Sequence, residues 1–333
     1  MKIKRFIIAL AVFSLASLAG DRAYVKATGV LTPPSPVVSA PPSTPLVPVN
    51  PDDWESMAAA VRSRARRFHG DVGYVIKDFR SGRTIQSNAD HVFLSASLIK
   101  LPILVAAFQA IHDGRLTLTE KVRLTRKDRQ GGSGILKFSA PGTVFAMSDL
   151  LEDMIIYSDN TATRLVVRRM GVDYLQQTFV RLGLKDTQIH SQGFRLTPRY
   201  IAEDNLTSPR DAASLLNRMY ARTLVSPEAS EQMLTILKHQ KLRDRLPRYL
   251  PMGWEIAHKT GLLRRSCHDV GIVFTPKGDY MICVLTGRDM NYRSAKHFIA
   301  SLGRLTFDYY LGNGFHRPVL QTRRITRDLH PAG

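Results

Sequence analysis

A serine and a lysine three positions apart give the first chemical signal in this chain of 333 residues. They are Ser97 and Lys100, which stand at the head of the apolar run from Leu101 to Ile111. Residues three apart on a helix share one face, so the amine can approach the hydroxyl. A lysine in a mostly apolar pocket loses its proton more readily and can act as a base, which would make Ser97 a nucleophile. Alone, the pair is better explained as a capping serine and a surface lysine, because S-x-x-K arises by chance about once in a chain of this length.

Two further triplets follow in order along the chain. Residues 158–160 read Ser-Asp-Asn in a predicted connection between helices, and residues 259–261 read Lys-Thr-Gly at the end of a predicted strand. Each triplet alone is typical of a helix cap or a strand-end turn. Together with the first pair they resemble the class A serine β-lactamases and the penicillin-binding D-Ala-D-Ala peptidases, which use S-x-x-K, S-D-N and K-T-G. The resemblance covers about residues 53 to 311.

The resemblance implies a catalytic role for four positions. Ser97 would be the acylated nucleophile and Lys100 its general base, while Ser158 would relay a proton to the departing nitrogen. The backbone N–H groups of Ser97 and Leu262 would form the oxyanion hole, where losing one donor typically costs about 3 kcal/mol of barrier.

Four positions would bind substrate, and none would bind a metal. Asn160 would hold the substrate's side-chain amide, while Lys259 and Thr260, followed by Gly261, would bind the carboxylate that β-lactams and D-Ala-D-Ala peptides share. We expect no metal and no cofactor, because the ten histidines show no metal-ligand spacing. His258, beside Lys259, is interpreted as structural.

The chain departs from the class A pattern where that family places a deacylating glutamate. Gly193 stands at the position of the glutamate and Thr197 at that of the following asparagine. Gln192 cannot act as a base, and Glu203 is ten residues further on. We therefore expect intact acylation and slow deacylation, as in a slow β-lactamase, a peptidase-like wall enzyme or an esterase.

A second departure concerns the arginine that the family often places on the strand after K-T-G. This region reads Cys267-His268-Asp269, and only Arg264 and Arg265, in the preceding turn, could substitute for that arginine.

The elements that must position these residues come in an α+β order. Late strands joined by short turns should pair antiparallel, and the two early strands can join the same sheet. Helices are predicted at 52–68, 101–111, 148–156, 161–170, 172–182, 209–222, 227–240 and 293–311, and strands at 71–79, 84–88, 254–261, 269–275 and 280–287. With the resemblance, this predicts a β-lactamase/transpeptidase-like fold, an antiparallel five-stranded sheet packed by helices with a helical subdomain.

The two cysteines are predicted to be free thiols. A turn centred near 277–278 places Cys283 opposite about Ile272, five residues from Cys267. Five strand residues span roughly 16 Å, which is beyond disulfide reach. We expect Cys283 to be buried.

The first 51 residues read as an export signal followed by a tether. Lys2, Lys4 and Arg5 precede a short apolar run to Ala19, which is too short to span a bilayer comfortably. Eight prolines then fall between 33 and 51. The predicted organisation is a signal peptide or uncleaved anchor at 1–20, a linker at 21–51, a hydrolase domain at 52–315 and a basic tail at 316–333. We expect an exported protein, periplasmic or extracellular, tethered if the signal stays uncleaved.

The composition excludes several classes of protein. Apolar residues make up 44% and charged residues 23%, values that fit neither a disordered chain nor a multi-span membrane protein. The net charge is +19, of which residues before 52 carry +4, leaving +15. The basic runs lack interleaved aromatic residues or a recognition helix, so nucleic acid is not expected as a partner. We expect a monomer that acts on a β-lactam or a peptidoglycan peptide, with an anionic cell-wall surface nearby.

Two alternatives to a β-lactamase stay open from the sequence. A D-Ala-D-Ala carboxypeptidase or esterase would use the same residues on cell-wall peptides. A β-lactam or muropeptide sensor would be acylated once and would then signal through a partner.

Overall fold

The computed structural model describes residues 51–190, 204–289 and 291–311. The predicted signal, the linker apart from Pro51, and the basic tail lie outside these residues. Gln192, Gly193, Thr197 and Glu203 lie outside them too. Among the described residues, no helix combines the length and apolar character that crossing a membrane requires.

Helices and strands follow the predicted order with small shifts at their ends. The α-helices are α1 (Pro51–Arg66), α2 (Lys100–His112), α3 (Met147–Ile156), α4 (Asn160–Met170), α5 (Val172–Arg181), α6 (Pro209–Tyr220), α7 (Pro227–Lys238) and α8 (Tyr292–Leu311). The strands are β1 (Asp71–Asp78), β2 (Thr84–Ser87), β3 (Phe93–Leu94), β4 (Lys121–Arg123), β5 (Val144–Ala146), β6 (Leu206–Thr207), β7 (Ile256–Leu263), β8 (Ser266–Val273) and β9 (Tyr280–Gly287).

One five-stranded sheet joins the early and the late strands. Its order is β2-β1-β9-β8-β7, and every neighbouring pair is antiparallel. The predicted α+β fold with a five-stranded antiparallel sheet is confirmed. Strand β7, which carries the Lys-Thr-Gly triplet, is an edge strand of this sheet.

Helices cover both faces of the sheet, so its strands are apolar on both sides. Along β9, Cys283 packs into one core with α2, whereas its neighbours Ile282 and Val284 pack into a second core with α1 and α8. This alternation follows from the two-residue period of a strand. Helix α2 is buried along most of its length, as its apolar run predicts.

Both cysteines are free and Cys283 is buried, as predicted; Cys267 is buried as well. The predicted register, however, was wrong by two residues. Cys283 lies opposite Val270 rather than Ile272, because Val273 pairs with Tyr280 and the connecting turn is therefore centred earlier. Three strand residues, about 10 Å, still separate Val270 from Cys267, so the two cysteines remain too far apart for a disulfide.

Three short pairings were not predicted. Strand β3 pairs with β6, Gln188 bridges to Leu206, and β4 pairs with β5 to form a two-stranded ribbon. Strands of two or three residues are too short to show a periodic pattern in the sequence. The β4–β5 ribbon frames residues 124–143, which lie beside the candidate site.

Candidate active site

Ser97 lies in a single 3₁₀ turn, Ala96–Ile99, that leads directly into α2. The turn is fixed from outside, since the N–H of Ser95 donates to the carbonyl of Asn205 at 2.7 Å. Ser97 is half-buried, and its hydroxyl makes no hydrogen bond to the described residues. The hydroxyl is therefore open to attack a substrate.

Lys100 is the first residue of α2 and is only 3% exposed. Its Nζ donates to the Ser158 carbonyl at 2.6 Å, to Ser158 Oγ at 3.2 Å and to Asn160 Oδ1 at 2.7 Å. Burial lowers the pKa of Lys100 to about 7, against the opposing attraction of Asp159. The amine is thus poised to exist in both protonation states near neutral pH.

The connection from α3 to α4 is held by a buried carboxylate. Asp159 accepts hydrogen bonds from the N–H groups of Ile135 at 2.6 Å, Leu136 at 2.8 Å and Ala162 at 2.8 Å. One side chain therefore caps α4 and ties it to the loop before it. Ser158 adopts a left-handed conformation, with φ of 52°, that points the chain into this arrangement.

A glycine beside Asp159 is required by close packing. A Cβ on Gly134 would lie 2.2 Å from the carboxyl carbon of Asp159, and the φ of Gly134 is 100°. No other residue fits there without moving the carboxylate. This constraint was not anticipated from the sequence, although the Gly-Gly-Ser-Gly run at 131–134 was a signal for it.

Asn160 is oriented from two sides. Its Oδ1 accepts from Lys100, and its Nδ2 donates to the Gly131 carbonyl at 2.9 Å. Its backbone N–H also donates to the carbonyl of Ser133 at 3.1 Å. One amide proton of the side chain remains for a ligand, as the predicted binding role requires.

Strand β7 brings a second lysine to the same serine. Lys259 is fully buried, and its Nζ donates to Ser158 Oγ at 3.0 Å and to the Thr260 carbonyl at 2.9 Å. Burial lowers the pKa of Lys259 well below its usual range, and the nearby cations Lys100 and Arg245 lower it further. Two ammonium groups on one hydroxyl repel each other, so the site favours losing a proton from the pair.

Gly261 allows β7 to approach the Ser97 turn. A Cβ there would lie 3.0 Å from the His268 ring, 3.2 Å from the Ser95 carbonyl and 3.3 Å from Ala96 Cβ. Leu262 follows on the edge of the sheet, where alternate N–H groups of β7 point away from β8. The structure thus brings Lys100, Asn160 and Lys259 together at Ser158. It also packs β7 at Gly261 against the turn that carries Ser97, with Leu262 next along the strand. The region between these two groups is called the cleft below.

A buried polar network behind β7 was missed from the sequence. Asp269 is fully buried; its carboxylate contacts His258 Nδ1 at 2.9 Å and accepts from the Leu246 N–H at 3.0 Å. Its negative charge favours the cationic form of Lys259. The signal was an acidic residue within an otherwise apolar strand. His258 is structural in this arrangement, as predicted.

A buried arginine that was not predicted acts on Lys259 through its charge. Arg265 and Arg264 are exposed in the turn between β7 and β8, and neither forms an ion pair or hydrogen bond with another described residue. Arg245, 2% exposed, instead donates to Cys267 Sγ at 3.3 Å and to Asp244 at 2.8 Å. Its charge bears on Lys259 and helps hold the pKa of that lysine down.

His268 is held neutral in this network. Burial lowers its pKa to about 4. Its Nε2 lies 2.8 Å from the Leu94 carbonyl, and its Nδ1 accepts from the Thr286 N–H at 3.2 Å, which fixes the Nε2–H tautomer. It therefore links β8 to the segment before Ser97. Among the described residues, no group of His, Cys, Asp and Glu could hold a metal ion.

Comparison with known proteins agrees with this geometry. A family model described as the beta-lactamase enzyme family matches residues 56–310. Beta-lactamase 3 of Bacillus cereus is 26% identical over 230 residues, which make up 67% of this chain and 72% of that protein.

Two solved structures are similar over most of the chain. A beta-lactamase from Sphaerobacter thermophilus is 30% identical with a TM-score of 0.70, covering 77% of this chain and 97% of that one. A leucine-to-glutamate mutant of PBP-A, solved as an acyl-enzyme complex with penicillin G, is 30% identical with a TM-score of 0.70. The match covers 80% of this chain and all of that one.

Proposed function

The chain belongs to the beta-lactamase enzyme family, and from that premise we propose that it opens β-lactam rings through an acyl-Ser97 intermediate that it releases slowly. The coarser assignment, a serine β-lactamase-like hydrolase, rests on the family and its relatives. The observation that carries the proposal is the buried Lys100 amine, three residues after Ser97 and bonded to Ser158 and Asn160.

Substrate binding would give the two lysines different protonation states. A substrate carboxylate beside Lys259 and Thr260 favours the ammonium form of Lys259. That charge disfavours a second cation on Ser158, so Lys100 is the lysine left neutral. Asn160 would hold the substrate's amide and Gly261 would let the substrate lie along β7.

During acylation, Lys100 takes a proton from Ser97 and returns one through Ser158 to the departing nitrogen. Lys100 takes the proton of Ser97 Oγ as that oxygen bonds to the lactam carbonyl carbon, and the backbone N–H groups of Ser97 and Leu262 stabilise the oxyanion. When the carbon–nitrogen bond breaks, Ser158 Oγ donates its proton to the nitrogen and regains one from Lys100. The product is an ester on Ser97, and Lys100 is neutral again.

Deacylation would be slow because a water needs a base to attack that ester. By resemblance, Gly193 occupies the place of the glutamate that performs this step in class A enzymes. A glycine has no side chain to take the proton. We therefore expect the acyl-enzyme to accumulate.

A time course with two substrates tests the proposal. The full chain is incubated with a fluorescent penicillin and with a chromogenic cephalosporin, beside Ser97→Ala and Lys100→Ala. We expect persistent label on the wild type, little colour, and no label on Ser97→Ala. An unlabelled wild type would refute the acyl-serine intermediate.

A further variant tests the deacylation argument by itself. Gly193→Glu should shorten the lifetime of the label and speed the colour change, while Gly183→Glu, at an exposed turn, should change neither. Rapid colour from the wild type would show that the chain has another base, and Glu203 would be the first residue to substitute.

One observation supports a second candidate function, in which a ligand derived from the cell wall acylates Ser97 and is released with little turnover. The leucine-to-glutamate mutant of PBP-A, at 30% identity, was solved as an acyl-enzyme complex with penicillin G. A D-Ala-D-Ala carboxypeptidase or esterase would release D-alanine or an alcohol from a synthetic substrate, whereas a sensor would only become acylated. Export across the inner membrane, which both candidates need, is proposed from the N-terminal sequence and is tested by fractionation of expressing cells.

A further inference from the structure

We propose that the exposed basic segment beside the cleft docks a linear polyanion, a polymer bearing regularly spaced phosphate or carboxylate groups. The segment, called here the basic rim, comprises six side chains between residues 121 and 142. They are Lys121, Arg123, Arg126, Lys127, Arg129 and Lys137. The basic rim is not part of the acyl-transfer site. Binding of a polyanion to the rim does not depend on acylation of Ser97.

The basic rim carries a high density of positive charge. Its 22 residues hold six basic side chains and one acid, Asp128, a net +5. Residues 51–120 carry a net +1 and residues 143–190 a net −1, counted in the same way. Residues 62–83 reach the same net +5 over the same length. The rim is therefore one of two strongly basic segments, and its position beside the candidate site distinguishes it.

The one acid of the rim does not neutralise its cations. Asp128 is 2% exposed; it accepts from the Thr125 N–H and hydroxyl and pairs with Arg168, which reaches in from α4. Within the described part of the chain, no carboxylate lies within ion-pair distance of the six rim cations. Five of them are exposed and Lys137 is half-buried.

Some exposed arginines elsewhere on the protein have a carboxylate partner. Arg210 pairs with Asp90, Arg222 with Glu231, and Arg304 with Asp308. An unpaired set of cations on one short segment is the arrangement that favours an extended anion, because each added phosphate releases counterions.

The rim also lies next to the catalytic cleft. The carbonyls of Gly131 and Ser133, between Arg129 and Lys137, accept hydrogen bonds from Asn160. A polymer held on the rim would therefore lie alongside the entrance to the site. Such a contact would keep the enzyme close to an anionic envelope polymer.

A polymer fits the rim better than a membrane surface. Interfacial binding needs an apolar face as well as cations, and Phe138 is the only large exposed hydrophobic residue among the described residues 121–142. The Lys137 ammonium lies 5.2 Å from the centre of that ring. A single aromatic side chain under a cation is a weak anchor.

Long-chain inorganic polyphosphate is the probe for this proposal. The full chain is compared with the triple variant Lys121→Glu/Arg126→Glu/Lys127→Glu, whose three side chains make no hydrogen bond to described residues. The control is Lys241→Glu/Arg243→Glu/Arg248→Glu, an equal charge change in another exposed basic run. We expect the rim variant to raise the polyphosphate Kd at least tenfold and to flatten its salt dependence, and the control to raise it less than threefold.

Other outcomes would overturn the proposal. Equal weakening of polyphosphate binding in both variants would mean that only net charge matters. Absence of polyphosphate binding at low salt would mean that the basic rim does not bind polyanions. Binding to phosphatidylglycerol vesicles that exceeds polyphosphate binding and is lost in Phe138→Ser would assign the rim to a membrane.

Penicillin labelling of Ser97 serves as an independent folding control. If the glutamate variant does not label, the corresponding glutamine triple replaces it. Loss of labelling in the wild type would refute the proposed function while leaving the rim measurement intact.

Discussion

The two walls of the cleft each supply a buried lysine to Ser158 but hold it by different means. The helical wall consists of Lys100 with residues 158–160, and the sheet wall of Lys259, Thr260 and Gly261 on β7. On the helical wall, every Lys100 hydrogen bond goes to the Ser-Asp-Asn connection. On the sheet wall, Lys259 bonds to Ser158 and to the carbonyl of the next residue on its own strand.

A buried carboxylate supports each wall, and its partners differ. Asp159 is surrounded by backbone N–H groups, so it fixes the chain path of the helical wall. Asp269 contacts one ring nitrogen and one N–H behind β7, where strand pairing already fixes the backbone. The helical wall is thus held by single side-chain contacts, whereas the backbone of the sheet wall is also held by its hydrogen bonds to β8. We expect mutations to affect the helical wall more.

The largest expected effect is loss of the base. Lys100→Arg keeps the positive charge but cannot give a neutral amine, because a guanidinium does not lose its proton in proteins. Acylation by a fluorescent penicillin should slow by about a thousandfold, the scale of general base catalysis. Stopped-flow labelling measures this, with Lys121→Arg as a control. A loss below tenfold would make Lys259 the better candidate for the base.

The next effect is on the packing of the helical wall. Gly134→Ala would drive a Cβ into Asp159 at a φ that disfavours alanine, and should lower the free energy of unfolding by about 3 kcal/mol. Gly114→Ala is the matched control. Its φ is also positive, at 69°, but a Cβ there meets nothing within 4 Å, so about 1 kcal/mol is expected. Equal losses in urea unfolding would show that the contact with Asp159 is unimportant.

A smaller effect is expected behind the sheet wall. In Asp269→Asn the amide can still accept from Leu246, but it would donate to His258 Nδ1 and move the ring proton to Nε2, which is buried without a partner. We expect a loss of about 2 kcal/mol in unfolding free energy and weaker capture of carboxylate-bearing β-lactams.

Asp308→Asn, which breaks an exposed pair with Arg304, is the control for that loss. Because exposed pairs contribute little, we expect it to change the unfolding free energy by less than about 1 kcal/mol. If Asp269→Asn leaves KM for the carboxylate substrate and for its methyl ester in the same ratio as in the wild type, Asp269 does not act on Lys259.

The smallest effect is a pH dependence of acylation that comes from Lys100 on the helical wall. Because the pKa of Lys100 is about 7, the neutral base is lost as the pH falls below that value. Acylation kcat/KM should fall about tenfold per pH unit below 7 and level off above it. Lys100→Arg should lack this limb. A profile that keeps the limb in Lys100→Arg would assign it to another group.

The helices and strands that carry the chemistry were largely predictable. Helix α2, the α3–α4 connection and the β9 hairpin follow from apolar runs, Gly stops and turn residues, which act locally. The β8–β9 register was misplaced by two residues because both faces of these strands are apolar, so alternation could not define it.

The supporting residues of the site were not predictable in the same way. Asp159 was noted only as the middle of a triplet, and nothing in the local sequence says that Ile135 and Leu136 would donate to it. Arg245 comes from the segment before a 3₁₀ turn, far from the strand where an arginine was sought. Such contacts join segments that are distant in the chain.

The sequence by itself determined which chemical groups are present and on which local elements they stand, because propensity, caps and spacing act over a few residues. Only the tertiary structure decided that Ser158, 61 residues after Ser97 and 101 before Lys259, would accept bonds from both lysines. It also decided that burial would lower the pKa values of both amines. Distance and desolvation are properties of the packed chain, and they turn a set of motifs into a site.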